Sequence, residues 1–155
     1  MRMNVLVVYY SRSGNTKKIA EKIVKKLKAD IDEIKDLKNR KGIIGFLSGG
    51  KDVVTKKLTK IEFEKNPYKY DLVIIGTPVW ASTMTPAIKT YLEKNKDIAK
   101  AAVFCTYGAS EGRTFTDIRE KIGKVVAEMG LLTREINECD GKLNKFLKKI
   151  NTSFS

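Results

Sequence analysis

Three short runs of apolar, largely β-branched residues limit the folds open to this chain more than anything else in it. They are Asn4–Tyr10 (NVLVVYY), Asp71–Gly76 (DLVIIG) and Ala101–Thr106 (AAVFCT). Each is strand-sized, and none alternates apolar with polar residues. Each therefore suits a strand buried on both faces of a sheet.

Between these runs, apolar residues recur at helical spacing. In Thr16–Lys28, Ile19, Ala20, Ile23, Val24 and Leu27 share one face, with lysines opposite. Pro86 follows Thr85 and opens a helix to about Glu93 that buries Ala87, Ile88, Tyr91 and Leu92. Phe115–Met129 reads as a helix, with Phe115, Ile118, Ile122, Val125, Val126 and Met129 in register and Gly130 as its stop. Leu131–Ile136 reads as a last strand. Asp140 reads as the cap of a final helix that buries Leu143, Phe146, Leu147 and Ile150. Ile31–Lys35 is a weak, charged strand suited to a sheet edge. Residues 37–70 read as a loop with one short helix, because Gly42, Gly45, Gly49 and Gly50 interrupt an apolar cluster of Ile43, Ile44, Phe46 and Leu47. That cluster is expected to pack over the sheet edge.

Strands that alternate with helices imply an α/β domain spanning 1–155, with a doubly wound, five-stranded parallel sheet and helices on both faces. The order 2-1-3-4-5 suits this length. Its ligand crevice lies at the carboxyl ends of strands one and three, where the winding direction switches.

Composition narrows the chemistry. The absence of histidine excludes His-ligated metals, His-based triads and histidine pH switches. No metal site or catalytic dyad is expected. Cys105 and Cys139 are too few for a disulfide scaffold. Cys105 is expected to face the core as a small hydrophobe, and Cys139 to end the neighbouring strand, which leaves open whether the two meet. No run approaches the ~18 apolar residues of a membrane span, and the N-terminus lacks a signal-peptide pattern, so membrane insertion is not expected and a cytoplasmic location is. The 31 Lys and Arg outnumber the 18 Asp and Glu, for a net charge of +13. The excess sits in the first helix, the connector after it and the last helix. Without a recognised motif or aromatics among the lysines, nucleic-acid binding is not expected.

Three loops leave the carboxyl ends of the three apolar strands: Ser11–Thr16, Thr77–Thr85 and Tyr107–Arg113. By the switch-point rule they converge. The first joins a strand to a helix, and its hydroxyls and amides surround the positive end of the helix dipole, a ready phosphate site. It is neither a Walker A loop nor a GxGxxG fingerprint. Glu111 and Arg113 are expected to be exposed loop charges.

The run VVYYSRSGNTKKIA resembles the phosphate-binding loop of flavodoxins, and GTPVWASTMTPAIKTYL and CTYGASEGRTF resemble the second and third flavin loops of that family. The likeness spans essentially the whole chain, and its length resembles the short-chain members. It implies bound FMN. Ser11, Ser13, Asn15 and Thr16 would hold the phosphate, with Gly14 between them and Arg12 either pointing to solvent or adding charge near the phosphate. Thr77, Pro78, Val79 and Trp80 would wrap one side of the ring system, and Tyr107, Gly108 and Ala109 the other. The implied role is electron transfer between redox partners, without catalytic residues. The alternative is an FMN-dependent NAD(P)H:quinone-type oxidoreductase. The +13 charge departs from the acidic family pattern, and implies partners with an acidic docking surface.

Overall fold

A computed structural model describes residues 2–38 and 58–155. The Ile43–Leu47 cluster lies outside the described residues. Strand β1 (Val5–Tyr9) runs into helix α1 (Asn15–Leu27), which returns to β2 (Asp30–Glu33). A short ribbon follows, β3 (Lys35–Asp36) antiparallel to β4 (Ile61–Glu62). Then come β5 (Leu72–Trp80), β6 (Thr83–Met84), α2 (Pro86–Lys94), β7 (Ala101–Tyr107), α3 (Thr114–Ile122), β8 (Val125–Leu132) and α4 (Asp140–Thr152).

The main sheet has the order β2-β1-β5-β7-β8, and all four of these pairings are parallel. This is the doubly wound arrangement expected from the apolar runs. Alternate residues of the central strands divide between two cores. Val7, Ile74 and Phe104 pack with Ile19 and Ile23 of α1 and Leu143 and Phe146 of α4. Val8, Ile75 and Val103 pack with Ile88 and Tyr91 of α2 and Ile118 of α3. The expected edge strand is β2, whose buried Asp32 accepts the N–H groups of Glu64 (3.0 Å) and Lys65 (2.7 Å) and so ties that edge to the following segment. Within the described part of 37–70 there is a one-turn helix at Pro67–Lys69, and the short strand β4 stands where only loop was expected.

Two expectations are corrected around the last strand. The helix expected over Phe115–Met129 ends at Ile122, followed by Gly123 at φ 70°. Residues 125–132 form β8, with Ala127, Met129 and Leu131 buried in alternation. Met129 fits both a helical and a two-residue repeat. The turn at Gly123, which an L-residue adopts only with strain, decides for the strand. Gly130 is therefore a strand residue and not a helix stop. A Cβ there would collide with the side chains of Glu111 and Tyr107, so the glycine gives the third loop its seat. The expected strand Leu131–Ile136 stops at Leu132 and continues as a tight 3-10 turn, Thr133–Glu138. Asp140 lies in the first turn of α4, where its charge suits the dipole, while Cys139 occupies the cap position without a side-chain hydrogen bond. The four expected core residues of α4 are buried.

The two cysteines lie on opposite sides of the sheet. Cys139 follows the 3-10 turn and belongs to the α1/α4 core. Cys105 alternates with Phe104, which faces that same core, so it lies on the opposite side of the sheet. Both are free and buried. Burial, with Glu111 and Glu128 nearby, pushes the Cys105 thiol up to about 12.

Candidate functional site

The three loops emerge side by side because β1, β5 and β7 are adjacent and parallel. The first begins where β1 ends. Ser11 Oγ accepts the Gly14 N–H at 3.1 Å, which folds the loop back on itself. Gly14 has φ 95°, and nothing lies within 4 Å of where its Cβ would stand. The loop therefore has an open cradle that any larger residue would fill.

Behind the cradle α1 starts with no side-chain cap and no acidic residue in its first turn. Its leading N–H groups, those of Asn15 and Thr16 among them, lack intrahelical acceptors. No acidic residue occurs before Glu21, while Arg12, Lys17 and Lys18 stand exposed around the loop. The local field is positive, and the donors point outward. A phosphate monoester fits this donor set and this open glycine.

Thr16 is buried, and its Oγ1 pairs with Oγ1 of Thr106 at 2.8 Å. The hydroxyl expected to face a phosphate is thus engaged with the end of β7, and the Thr16 N–H is its remaining outward donor. Thr106 went unnoticed in the sequence. Its only signal was a polar residue ending an apolar strand.

The second loop is mostly strand. Thr77–Thr85 was expected to be a loop, but β5 continues through Trp80 and turns at Ala81 (φ 48°) and Ser82 (φ 66°) into β6. Two successive positive φ values make a tight two-residue hairpin. Pro78 is tolerated because pairing with β1 has already ended at Gly76, leaving β5 paired there with β7 alone. Thr77 Oγ1 accepts the Thr85 N–H at 3.2 Å, and Thr85 Oγ1 accepts the Ile88 N–H, so one threonine pair joins the strand to the start of α2.

The third loop is pinned to the second. Arg113 N–H donates to Ser82 O at 2.7 Å, and a Cβ on Gly112 would collide with the Ser82 backbone. Glu111 and Arg113 are exposed, as expected, and Arg113 pairs with Asp117 at 3.3 Å.

The aromatic groups differ in setting. Trp80 is only 8% exposed and meets Tyr10 edge-to-face at 5.6 Å. Arg12 does not simply point to solvent. Its guanidinium lies 5.8 Å from the Trp80 ring centroid, an exposed cation–π contact of roughly 0.5–1 kcal/mol that links the first loop to the second. Tyr107 is half-buried, and its hydroxyl titrates above the ordinary range, through burial first and Glu111 second. Gly108 and Ala109 are exposed, with open space at Gly108. Pro78 and Val79 are half-buried, and Ser13 is exposed. The structure therefore gathers the expected residues of all three loops at one end of the sheet.

No protein-family model matches the chain. A flavodoxin from Clostridium beijerinckii is 28% identical over 154 residues, covering 93% of this chain and 96% of that protein. A flavoprotein from Lactobacillus acidophilus, solved in complex with FMN, superposes with a TM-score of 0.73 at 26% identity, covering 88% of this chain and 97% of that one. An NADH:FMN oxidoreductase solved in its apo form shares the fold, with a TM-score of 0.60 at 15% identity over 96% of this chain and 87% of that one. In fold, and in sequence along nearly its whole length, the chain is flavodoxin-like.

Proposed function

We propose that this chain binds FMN at the three-loop end of the sheet and carries electrons between redox partners. The observation that carries the reading is the first loop, an uncapped helix start with an open, positive-φ glycine and no acidic residue in its first turn. The flavodoxin similarity and the FMN-bound neighbour support the choice of ligand.

In this reading the N–H groups of Ser13, Asn15 and Thr16 and the Ser13 hydroxyl bind the phosphate, while the Gly14 N–H stays on Ser11 Oγ. Ser11 holds the loop in its turn, and Thr106 holds Thr16. Arg12 adds positive charge at the mouth of the cradle. Thr77, Pro78, Val79 and Trp80 cover one side of the ring system, and Tyr107, Gly108 and Ala109 the other, where the aromatic side chains exclude water. FMN, when bound, supplies the redox chemistry. The protein needs no general acid or base for electron transfer, which suits the side chains present. Lysine-rich surfaces would dock an acidic redox partner.

The same fold also serves an NADH:FMN oxidoreductase, so NAD(P)H oxidation is the second reading. Quenching of FMN fluorescence tests binding directly. Gly14→Ala, forced into a positive φ and filling the cradle, should weaken FMN by at least about tenfold while leaving the fold intact. Equal affinity would remove the cradle from the site. An anaerobic absorbance titration of the FMN-loaded protein with NADH and NADPH separates the roles. Flavin bands that bleach only with a chemical reductant favour the carrier. Bleaching by nicotinamide within seconds favours the reductase.

A further inference from the structure

The two lysine-rich helices, far apart in sequence, share one face of the sheet. Ile19 and Ile23 of α1 and Leu143 and Phe146 of α4 lie in a single core layer, and Lys26 Nζ reaches Asn144 Oδ1 at 3.5 Å. Beside α4 runs β8, which is hydrogen-bonded to β7 on one side. Among the described residues its other edge has no strand partner.

A groove of about 260 Å³ lies along that edge. Its floor is Met129, Phe146 and the strand from Glu128 to Gly130, and its rim is Lys142, Lys145 and Lys149. Lys142 is paired with Glu135 at 3.0 Å. Lys145 and Lys149 have no carboxylate partner among the described residues. Glu128 does not neutralise them, because Arg119 of α3 holds both its oxygens at 2.8 Å.

We propose that this edge receives an extended acidic segment of a partner protein, added to β8 as a further strand with its carboxylates on Lys145 and Lys149. The unpaired N–H and C=O groups of β8 supply the ladder. Alternate residues of an extended strand lie about 6.6–6.8 Å apart on one face, and helix positions four apart rise about 6 Å. Two acidic residues separated by one therefore match the spacing of Lys145 and Lys149. Lysines alone would guard an edge against self-pairing. The groove with an apolar floor and two carboxylate-free lysines goes further. A free backbone edge pairs only with another polypeptide, which favours a peptide over nucleic acid or lipid. The proposal does not depend on FMN.

The test is fluorescence anisotropy with a fluorescein-labelled peptide of about ten residues that alternates Glu and Val. Saturable binding is expected. N-methylation of alternate peptide nitrogens, which removes ladder donors, should weaken it at least about tenfold, and so should K145E/K149E. The variant's melting curve and its FMN affinity report an intact fold, and K149Q serves as a milder substitution. An N-methylated peptide that binds equally well would reduce the site to charge alone and overturn strand addition. Failure to saturate by about 1 mM, or tighter binding of duplex DNA or phosphatidylserine vesicles with the same lysine dependence, would overturn the partner.

Discussion

Helices α2 and α3 cover one face of the sheet, and α1 and α4 cover the other. Beneath them the cores are built alike, each from alternate residues of β1, β5 and β7 against aliphatic helix positions. The outer surfaces differ. On the α2/α3 face the charges answer each other: Glu93 pairs with Lys121 and with Lys96, Arg113 with Asp117, and Arg119 with Glu128. On the α1/α4 face nine lysines stand against Glu21 and Asp140. Among the described residues Lys142 alone of the nine is ion-paired, with Glu135. Burial makes the fold, and both faces do that equally. Charge is left to function, and the topology collects it on one side.

The largest effects should show that the cores are equivalent. Ile23 on α1 and Ile88 on α2 are both fully buried. Replacing either by alanine removes the same atoms and leaves a cavity, at a cost of roughly 2–5 kcal/mol. Denaturant unfolding of Ile23→Ala and Ile88→Ala should give losses of similar size. A loss confined to one face would mean that the other core layer is not closely packed.

A smaller effect tests how closely the central strands approach. Gly76 on β5 pairs with Phe104 on β7, and a Cβ at Gly76 would collide with the tip of the Phe104 ring, 2.2 Å from Cζ. Gly76→Ala should therefore cost about 1–3 kcal/mol by overpacking. Gly76→Ala combined with Phe104→Leu should recover part of that loss, because the ring is the obstacle. Thermal unfolding of the single and double variants measures both. A neutral single variant would show that the ring moves aside freely.

The regions legible in the sequence follow from the same packing logic. The three apolar runs announced β1, β5 and β7, because a strand buried on both faces tolerates nothing else. The cluster Ser11–Thr16 announced the first loop, because small polar residues between an apolar run and an amphipathic helix have few other uses. The strand β8 was misread. It is an edge strand, so only one of its faces needs apolar residues, and its Val125, Val126 and Met129 also satisfy a helical repeat. The β5–β6 hairpin was hidden because Pro78 is a poor strand residue wherever both edges are paired, and the end of β1 pairing at Gly76 is a tertiary fact. The pairing of Thr16 with Thr106 and the contact of Arg12 with Trp80 join residues far apart in sequence, and no local pattern encodes them. The lysines were countable, yet their gathering on one face was not, since it depends on which face of the sheet α4 returns to after β8.

The smallest expected effect bears most directly on the contrast between the two surfaces. Glu93 accepts hydrogen bonds from Lys121 and Lys96, and these, foremost that from Lys121, hold its carboxyl below the ordinary carboxylate range. A carboxyl lowered on folding contributes stability that is present above its unfolded pKa and is lost as pH falls through the folded one. Glu93→Gln should thus be less stable than the parent at pH 7, by up to about 1 kcal/mol for a surface pair. The two proteins should converge as pH falls below the ordinary carboxylate range and through the parent's lowered folded pKa. Lys149→Gln on the opposite face should do the reverse. It removes one of several like charges, so it should leave stability unchanged or raise it by a few tenths of a kcal/mol, and added salt should erase the gain by screening. Melting curves at two pH values and two salt concentrations separate the four cases. If Lys149→Gln destabilised the protein as much as Glu93→Gln, the α1/α4 lysines would be serving the fold, and the division between a neutralised face and a face left charged would fail.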